Sequence, residues 1–132
     1  MRPMPRFRSG PLAVLACSTA LLSACDSQGP NVACTAVRSI AIQLTVTDSV
    51  TGVAIADSAF GQVVAGLYTD SLHHVFSSPA LLIGGDSLGT YDVTLSRSGY
   101  ATWTRAGIAV TQVGVCGNVR PVALDALLQP LP

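Results

Sequence analysis

The sequence contains no lysine and no glutamate, and it has few charged residues of any kind. Charged residues make up 11% of its 132 residues, and aromatic residues 5%. After residue 25 the chain carries four Arg against seven Asp, a net charge of −3. A nucleic-acid-binding surface needs a dense basic face that releases phosphate counterions, so this balance argues against a nucleic-acid partner. It also argues against a polybasic patch for anionic lipids.

Residues for acid–base or metal chemistry are equally scarce. His73 and His74 are the only histidines, and adjacent side chains on a strand point to opposite faces, so they are not expected to hold one ion together. The sequence has no Gly-x-Ser-x-Gly elbow and no glycine-rich phosphate loop. Four aspartates fall in predicted turns, where we expect them to cap the backbone: Asp48, Asp57, Asp70 and Asp86. We therefore expect no enzyme activity, no cofactor and no bound metal.

The amino-terminal residues have the three-part layout of a secretory signal. Three arginines in the first eight positions precede an apolar stretch from 11 to 22, and the small residues Ser23 and Ala24 follow. As a helix this stretch would rise only about 18 Å, against about 30 Å for the hydrocarbon core of a bilayer. Residues 1–24 are therefore predicted to be an export signal that does not span the membrane.

The segment Leu22-Ser23-Ala24-Cys25 resembles the lipobox of bacterial lipoproteins. The resemblance implies that the Cys25 thiol takes a diacylglyceryl group and that cleavage makes Cys25 the first residue of the mature protein. The alternative, Val14-Leu15-Ala16-Cys17, places a bulky Leu beside the Ala and leaves little apolar sequence before it. Because two or three acyl chains anchor firmly, we expect a lipid-anchored protein of the bacterial cell envelope that faces the periplasm or the exterior.

The residues after the lipidated cysteine are polar and rich in turn formers. We predict that 25–38 comprises the anchor and a flexible tether. In enterobacterial lipoproteins an Asp directly after the lipidated Cys favours retention in the inner membrane, and Asp26 matches that position. Since this sorting rule varies between bacteria, the choice between inner and outer membrane stays open.

The rest of the chain, about half apolar overall, has the period of two that is typical of strands. Between 39 and 47, Ile and Leu or Val alternate with polar or small residues, and between 90 and 96 Tyr, Val and Leu alternate with Asp, Thr and Ser. No window beyond the signal has a helical period. Residues 39–130 are therefore predicted to form a single antiparallel β-sandwich of about seven strands. The strand candidates are 39–47, 60–69, 72–76, 80–83, 90–96, 101–104, 108–113 and 119–128.

Three stretches, taken in order, resemble the carboxypeptidase regulatory-like domain, a small transthyretin-like β-sandwich. The first runs from Val46 to Ile55 and contains an Asp-x-x-Thr-Gly turn, although the Pro that often follows that turn is missing. The second is Gly89-Thr90-Tyr91 and the strand after it, leading into Ser98-Gly99-Tyr100. The third runs from Val122 to Pro130. An unrelated immunoglobulin-like or bacterial surface sandwich is the alternative.

The resemblance implies an accessory role, because such domains mostly accompany enzymes, receptors or surface proteins and are taken to support folding or binding. Transthyretin-like hydroxyisourate hydrolases are an enzymatic relative, but their Tyr-Arg-Gly-Ser carboxyl terminus has no match in the last residues of this chain. We therefore expect a non-catalytic accessory or binding lipoprotein. The alternatives are a small envelope hydrolase or metal-dependent enzyme, and a structural subunit of an envelope complex.

Tyr100 and Trp103 are the candidate ligand-binding aromatics. If exposed, the two rings would offer a stacking platform for a carbohydrate or protein ligand. Packing of both rings in the core is the role that we favour over such a platform.

Two cysteines remain once Cys17 leaves with the signal and Cys25 takes lipid. In an exported, oxidising compartment an even remainder is usually a disulfide, so Cys34 and Cys116 are predicted to form one. Two cysteines also fit a disulfide better than a zinc site, which takes four ligands. The alternative is a pair of separately buried thiols.

Overall fold

The structure is a computed structural model that describes residues 33–35 and 37–132. The predicted signal, Cys25 and most of the predicted tether lie outside the described residues. Within them, all regular structure is β except one 3-10 turn, Ala56–Ser58. No helix in this part of the chain is long and apolar enough to cross a bilayer.

The described residues contain ten strands, eight of which form two four-stranded sheets. The first sheet has the order β10-β1-β5-β4, the second has the order β3-β2-β6-β7, and β8 pairs with β9 in a small ribbon. In chain order the strands are β1 (Ile42–Asp48), β2 (Phe60–Ala65), β3 (Tyr68–Ser71), β4 (His73–His74), β5 (Leu81–Gly84), β6 (Gly89–Ser96), β7 (Trp103–Val110), β8 (Gln112–Val113), β9 (Asn118–Val119) and β10 (Val122–Leu128).

The expectation of a wholly antiparallel arrangement is wrong at one pair. Strands β1 and β10 run parallel, in register from Ile42 opposite Val122 to Asp48 opposite Leu128. Parallel neighbours need a long crossover connection, and here nearly the whole domain provides it. Turn residues predict only local chain reversals. The relative direction of two strands as far apart in sequence as β1 and β10 could therefore not be predicted from them.

The two sheets share one hydrophobic core. On β1 the side chains of Ile42, Leu44 and Val46 are fully buried while those between them are half-buried, which confirms the predicted alternation. Strand β6 repeats the pattern. The largest fully buried side chains come from both sheets: Tyr91, Ile42, Leu44, Leu82, Leu95, Leu128, Val46, Val63 and Val93.

Two strand boundaries differ from the prediction for reasons that involve glycine. The stretch 60–69 is a hairpin rather than one strand, because Gly66 adopts a φ of +61° and the chain reverses there. Conversely, the separate candidates at 101–104 and 108–113 both contribute to one strand, β7, which runs from Trp103 to Val110, while Gln112–Val113 form β8. A bulge occurs where Gly107 donates its N–H to the Asp92 carboxylate, and the strand continues past it.

The predicted disulfide between Cys34 and Cys116 is present, with the two Cα atoms 5.4 Å apart. Cys34 precedes β1, and Cys116 lies in the turn between β8 and β9. We call the end of the domain that holds this disulfide and the start of β1 the tether end. The opposite end, where β1 finishes at Asp48, is the far end.

Asp48 links the two sheets at the far end. Its Oδ1 accepts hydrogen bonds of 2.8 Å from the N–H groups of Val50 and Thr51, as predicted for a turn-capping aspartate. Its Oδ2 accepts a 2.8 Å bond from the hydroxyl of Tyr100, which lies between β6 and β7. The Thr51 N–H first, then the Tyr100 hydroxyl and the Val50 N–H, lower the pKa of Asp48 from 3.8 to about 2.

Loss of the disulfide should destabilise the domain substantially. Cys34 and Cys116 are 82 residues apart, and a crosslink closing such a loop is worth on the order of 4 kcal/mol in the chain-entropy model. We expect the Cys34→Ser/Cys116→Ser variant to lose a comparable free energy of unfolding in urea titrations monitored by circular dichroism. An unfolding midpoint equal to that of the oxidised wild-type protein would contradict this expectation.

Asp48 should also make stability depend on acid pH. Because its folded-state pKa is depressed, the carboxylate stabilises the fold above pH 3.8, and this stabilisation is lost as the pH falls through about 2. In thermal unfolding between pH 6 and 2, the melting temperature of Asp48→Asn should therefore fall less steeply with decreasing pH than that of wild type. Tyr100→Phe should make this loss smaller and complete it at a higher pH, because the folded-state pKa of Asp48 lies closer to 3.8 without the Tyr100 hydrogen bond. Asp125→Asn, at an exposed position on β10, is the control. If the melting temperature of Asp48→Asn depends on pH as that of wild type does, Asp48 is not the source of the acid sensitivity.

Candidate functional site

The two candidate stacking aromatics are partly buried. Tyr100 and Trp103 both pack against the core cluster. The Tyr100 hydroxyl is bonded to Asp48, and the Arg97 guanidinium lies 5.6 Å from the centre of its ring. The contacts of Tyr100 are thus internal, and this placement favours the packing role over an open platform.

The two histidines have different surroundings. His73 is exposed, and its Nε2 lies 3.9 Å from Oδ1 of Asp70. His74 is half-buried and meets the ring of Phe76 edge-on, with ring centres 5.8 Å apart. Among the described residues no group of three or more His, Cys, Asp or Glu side chains is arranged to hold a metal ion.

A polar pocket of about 440 Å³ lies at the tether end. Residues 37–40 form one wall. The others are formed by Tyr68, Asp70 and His73 and by residues 83–86, which comprise the end of β5 and the start of the loop after it. Oδ2 of Asp70 accepts a 2.8 Å hydrogen bond from the Gly85 N–H, and Oδ1 accepts one from the Ser71 N–H. Asp70 therefore fixes the loop after β5.

Two polar side chains of this pocket, Tyr68 and Asp70, are held by their surroundings. Burial, followed by a hydrogen bond with Asp86 and the charges of Asp70 and Asp86, raises the pKa of Tyr68 to about 12. Its hydroxyl is therefore a hydrogen-bond donor at neutral pH. Both oxygens of Asp70 already accept backbone bonds, so its carboxylate acts in the structure of the loop.

Several exposed apolar side chains belong to segments at the far end. Asp48, at the turn after β1, accepts a hydrogen bond from Tyr100. Next to Tyr100, the Gly99 carbonyl accepts one from the Leu131 N–H, so the last residues of the chain also lie at this end. The loop between β4 and β5 reaches it through a bond from the Ala56 N–H to the Pro79 carbonyl. We call this set the far-end surface: Val50 (77% exposed), Val53 (59%), Phe60 (67%), Phe76 (97%) and Leu131 (57%).

A groove of about 390 Å³ runs beside Phe60. Its walls combine the apolar Phe60 and Leu72 with neutral polar groups from Gln62, Thr94 and Ser96. Phe60 begins β2 opposite Ser96 at the end of β6, so the edge of the groove is rigid sheet. An exposed ring beside uncharged hydrogen-bonding groups is suited to a protein or carbohydrate ligand.

The sequence did not indicate this surface. Phe60 and Phe76 were expected to be ordinary members of strands, and a period-two pattern does not distinguish an apolar residue on the outer face from one in the core. Phe60 faces outward from the second sheet, whereas Phe76 lies in a turn beyond β4, because the predicted strand 72–76 extends only over His73–His74.

Comparisons with known proteins give no family assignment. No protein-family model matches the chain, and no curated protein matches it.

Proposed function

We propose that this protein is a non-catalytic accessory or binding lipoprotein of the bacterial cell envelope. In this proposal residues 1–24 are the cleaved signal, acyl chains on Cys25 provide the anchor, and 39–130 form a β-sandwich of the carboxypeptidase regulatory-like, transthyretin-like type. Two four-stranded sheets around one core support the sandwich. The lipobox-like segment before Cys25 supports the anchor.

The disulfide supports the proposed location. Stable disulfides persist in oxidising compartments such as the periplasm, and the Cys34–Cys116 pair has the close Cα separation of a normal bridge. It also shortens the proposed tether, because Cys34 is covalently part of the domain. Only the eight residues from 26 to 33 then separate the anchor from the disulfide.

The far-end surface is the observation that carries the binding role. Five large apolar side chains, each more than half exposed, lie at one end of the domain. Exposed apolar clusters on small domains typically mark interaction sites. Because β1, about 20 Å long at roughly 3.3 Å per residue, separates this surface from the tether end, an anchored domain can present it away from the lipid.

Lipidation should depend on Cys25 alone. We expect Cys25→Ala to accumulate as uncut precursor without acyl label, whereas Cys17→Ala should mature normally. Metabolic labelling with a clickable fatty acid and intact-mass analysis would check both. Normal cleavage and labelling of Cys25→Ala would exclude the anchor.

The far-end surface should contact a partner in the native envelope. A photo-crosslinking phenylalanine analogue at Phe60 should give an adduct of defined mass, identified by mass spectrometry, because this side chain is exposed beside the groove. The same analogue at Ala109, exposed on β7, is the matched control. Equal adducts at both positions, or no adduct at Phe60, would count against a partner-binding role for this surface.

A further inference from the structure

A second group of exposed apolar side chains surrounds the point where the tether joins the domain. They come from the segment before β1, the β2–β3 turn, the β5–β6 loop and the β8–β9 ribbon. We call them the tether-end rim: Val37, Leu67, Leu88, Val113 and Val115, all of them exposed.

The rim residues all lie at the tether end, because residues 37–40 contact the neighbours of these loops on both sides. On one side these residues line the polar pocket together with Tyr68 and Asp86, which are near neighbours in sequence of Leu67 and Leu88. On the other side they line a pocket of about 260 Å³ with Asn118 and Val119 of the ribbon and with Pro121, which follows it. The side chains of Leu67 and Val115 are the most exposed of the set.

The tether limits how far this end can move from the lipid. Cys34 is nine residues after Cys25 in the sequence, and nine residues span at most about 30 Å when fully extended. The disulfide joins Cys34 to the ribbon turn that also contains Val115. The covalent path from the proposed anchor therefore ends within the rim.

We propose that the tether-end rim rests on the phospholipid bilayer and places Leu67 and Val115 among the lipid headgroups and upper acyl chains. This inference rests on the proposed lipid anchor. An apolar side chain at the tip of a loop gains from leaving water at such an interface. With this end on the lipid, the far-end surface points away from the membrane and is free for a partner.

Charge at this end indicates that the contact is apolar. Arg38 and Arg120 are exposed close to the rim, but Asp70 and Asp86 line the adjacent pocket. The opposite charges balance, so attraction to anionic headgroups contributes little. The contact should be the same on zwitterionic and anionic membranes.

Tryptophan quenching on vesicles tests the orientation. The full-length mature lipidated protein would carry Leu67→Trp or Val115→Trp, with Val50→Trp at the far end as the matched control and Trp103 as a constant background. In phosphatidylcholine vesicles with brominated acyl chains, the rim variants should lose about half or more of the added fluorescence. Val50→Trp should lose no more than wild type, and adding phosphatidylglycerol should change neither result.

The outcomes separate this inference from the proposed function. Intact mass establishes first whether Cys25 is acylated, and an unacylated mature protein would overturn both. Acylated protein with no quenching at Leu67→Trp and Val115→Trp, or with equal quenching at Val50→Trp, would overturn the orientation and leave the lipoprotein assignment standing. Quenching only when phosphatidylglycerol is present would replace the apolar contact with an electrostatic one and so overturn it.

Discussion

The parallel pairing of the first strand with the last is the interaction on which the rest of the fold depends. Strand β1 receives β10 on one side and β5 on the other, so its buried side chains form the centre of one sheet. Neither neighbour is joined to it by a short turn, and the pairing has to be held by contacts between distant segments. The chain provides such a contact at each end of the domain.

These two contacts differ in chemistry as well as position. At the tether end the disulfide joins the segment before β1 to the ribbon before β10. At the far end the Asp48 carboxylate accepts hydrogen bonds from its own turn and from Tyr100, while the Ala101 N–H donates to the Gln129 carbonyl just after β10. A covalent bond therefore secures one end, and a charge-assisted hydrogen-bond network secures the other.

The proposed function depends on this difference between the two ends of the domain. The covalent end carries the tether and the rim of apolar loop residues, and the hydrogen-bonded end carries the far-end surface. A lipid anchor attached at the first end leaves the second available to a partner, with a rigid strand pair between them. The polar pocket beside the tether has its main carboxylate, Asp70, committed to holding the loop after β5, so it contributes to the shape of this end.

The sequence by itself determined the β class, the alternation on β1 and β6, the turn-capping role of Asp48 and the Cys34–Cys116 pairing. These follow from local periodicity, turn chemistry and a count of cysteines. Only the tertiary structure decided that β1 and β10 are parallel, that 60–69 turns back at Gly66, and that Phe60 and Phe76 face solvent. The physical reason is that strand direction and the outward face of an apolar residue depend on contacts between segments far apart in the chain, which local patterns do not encode.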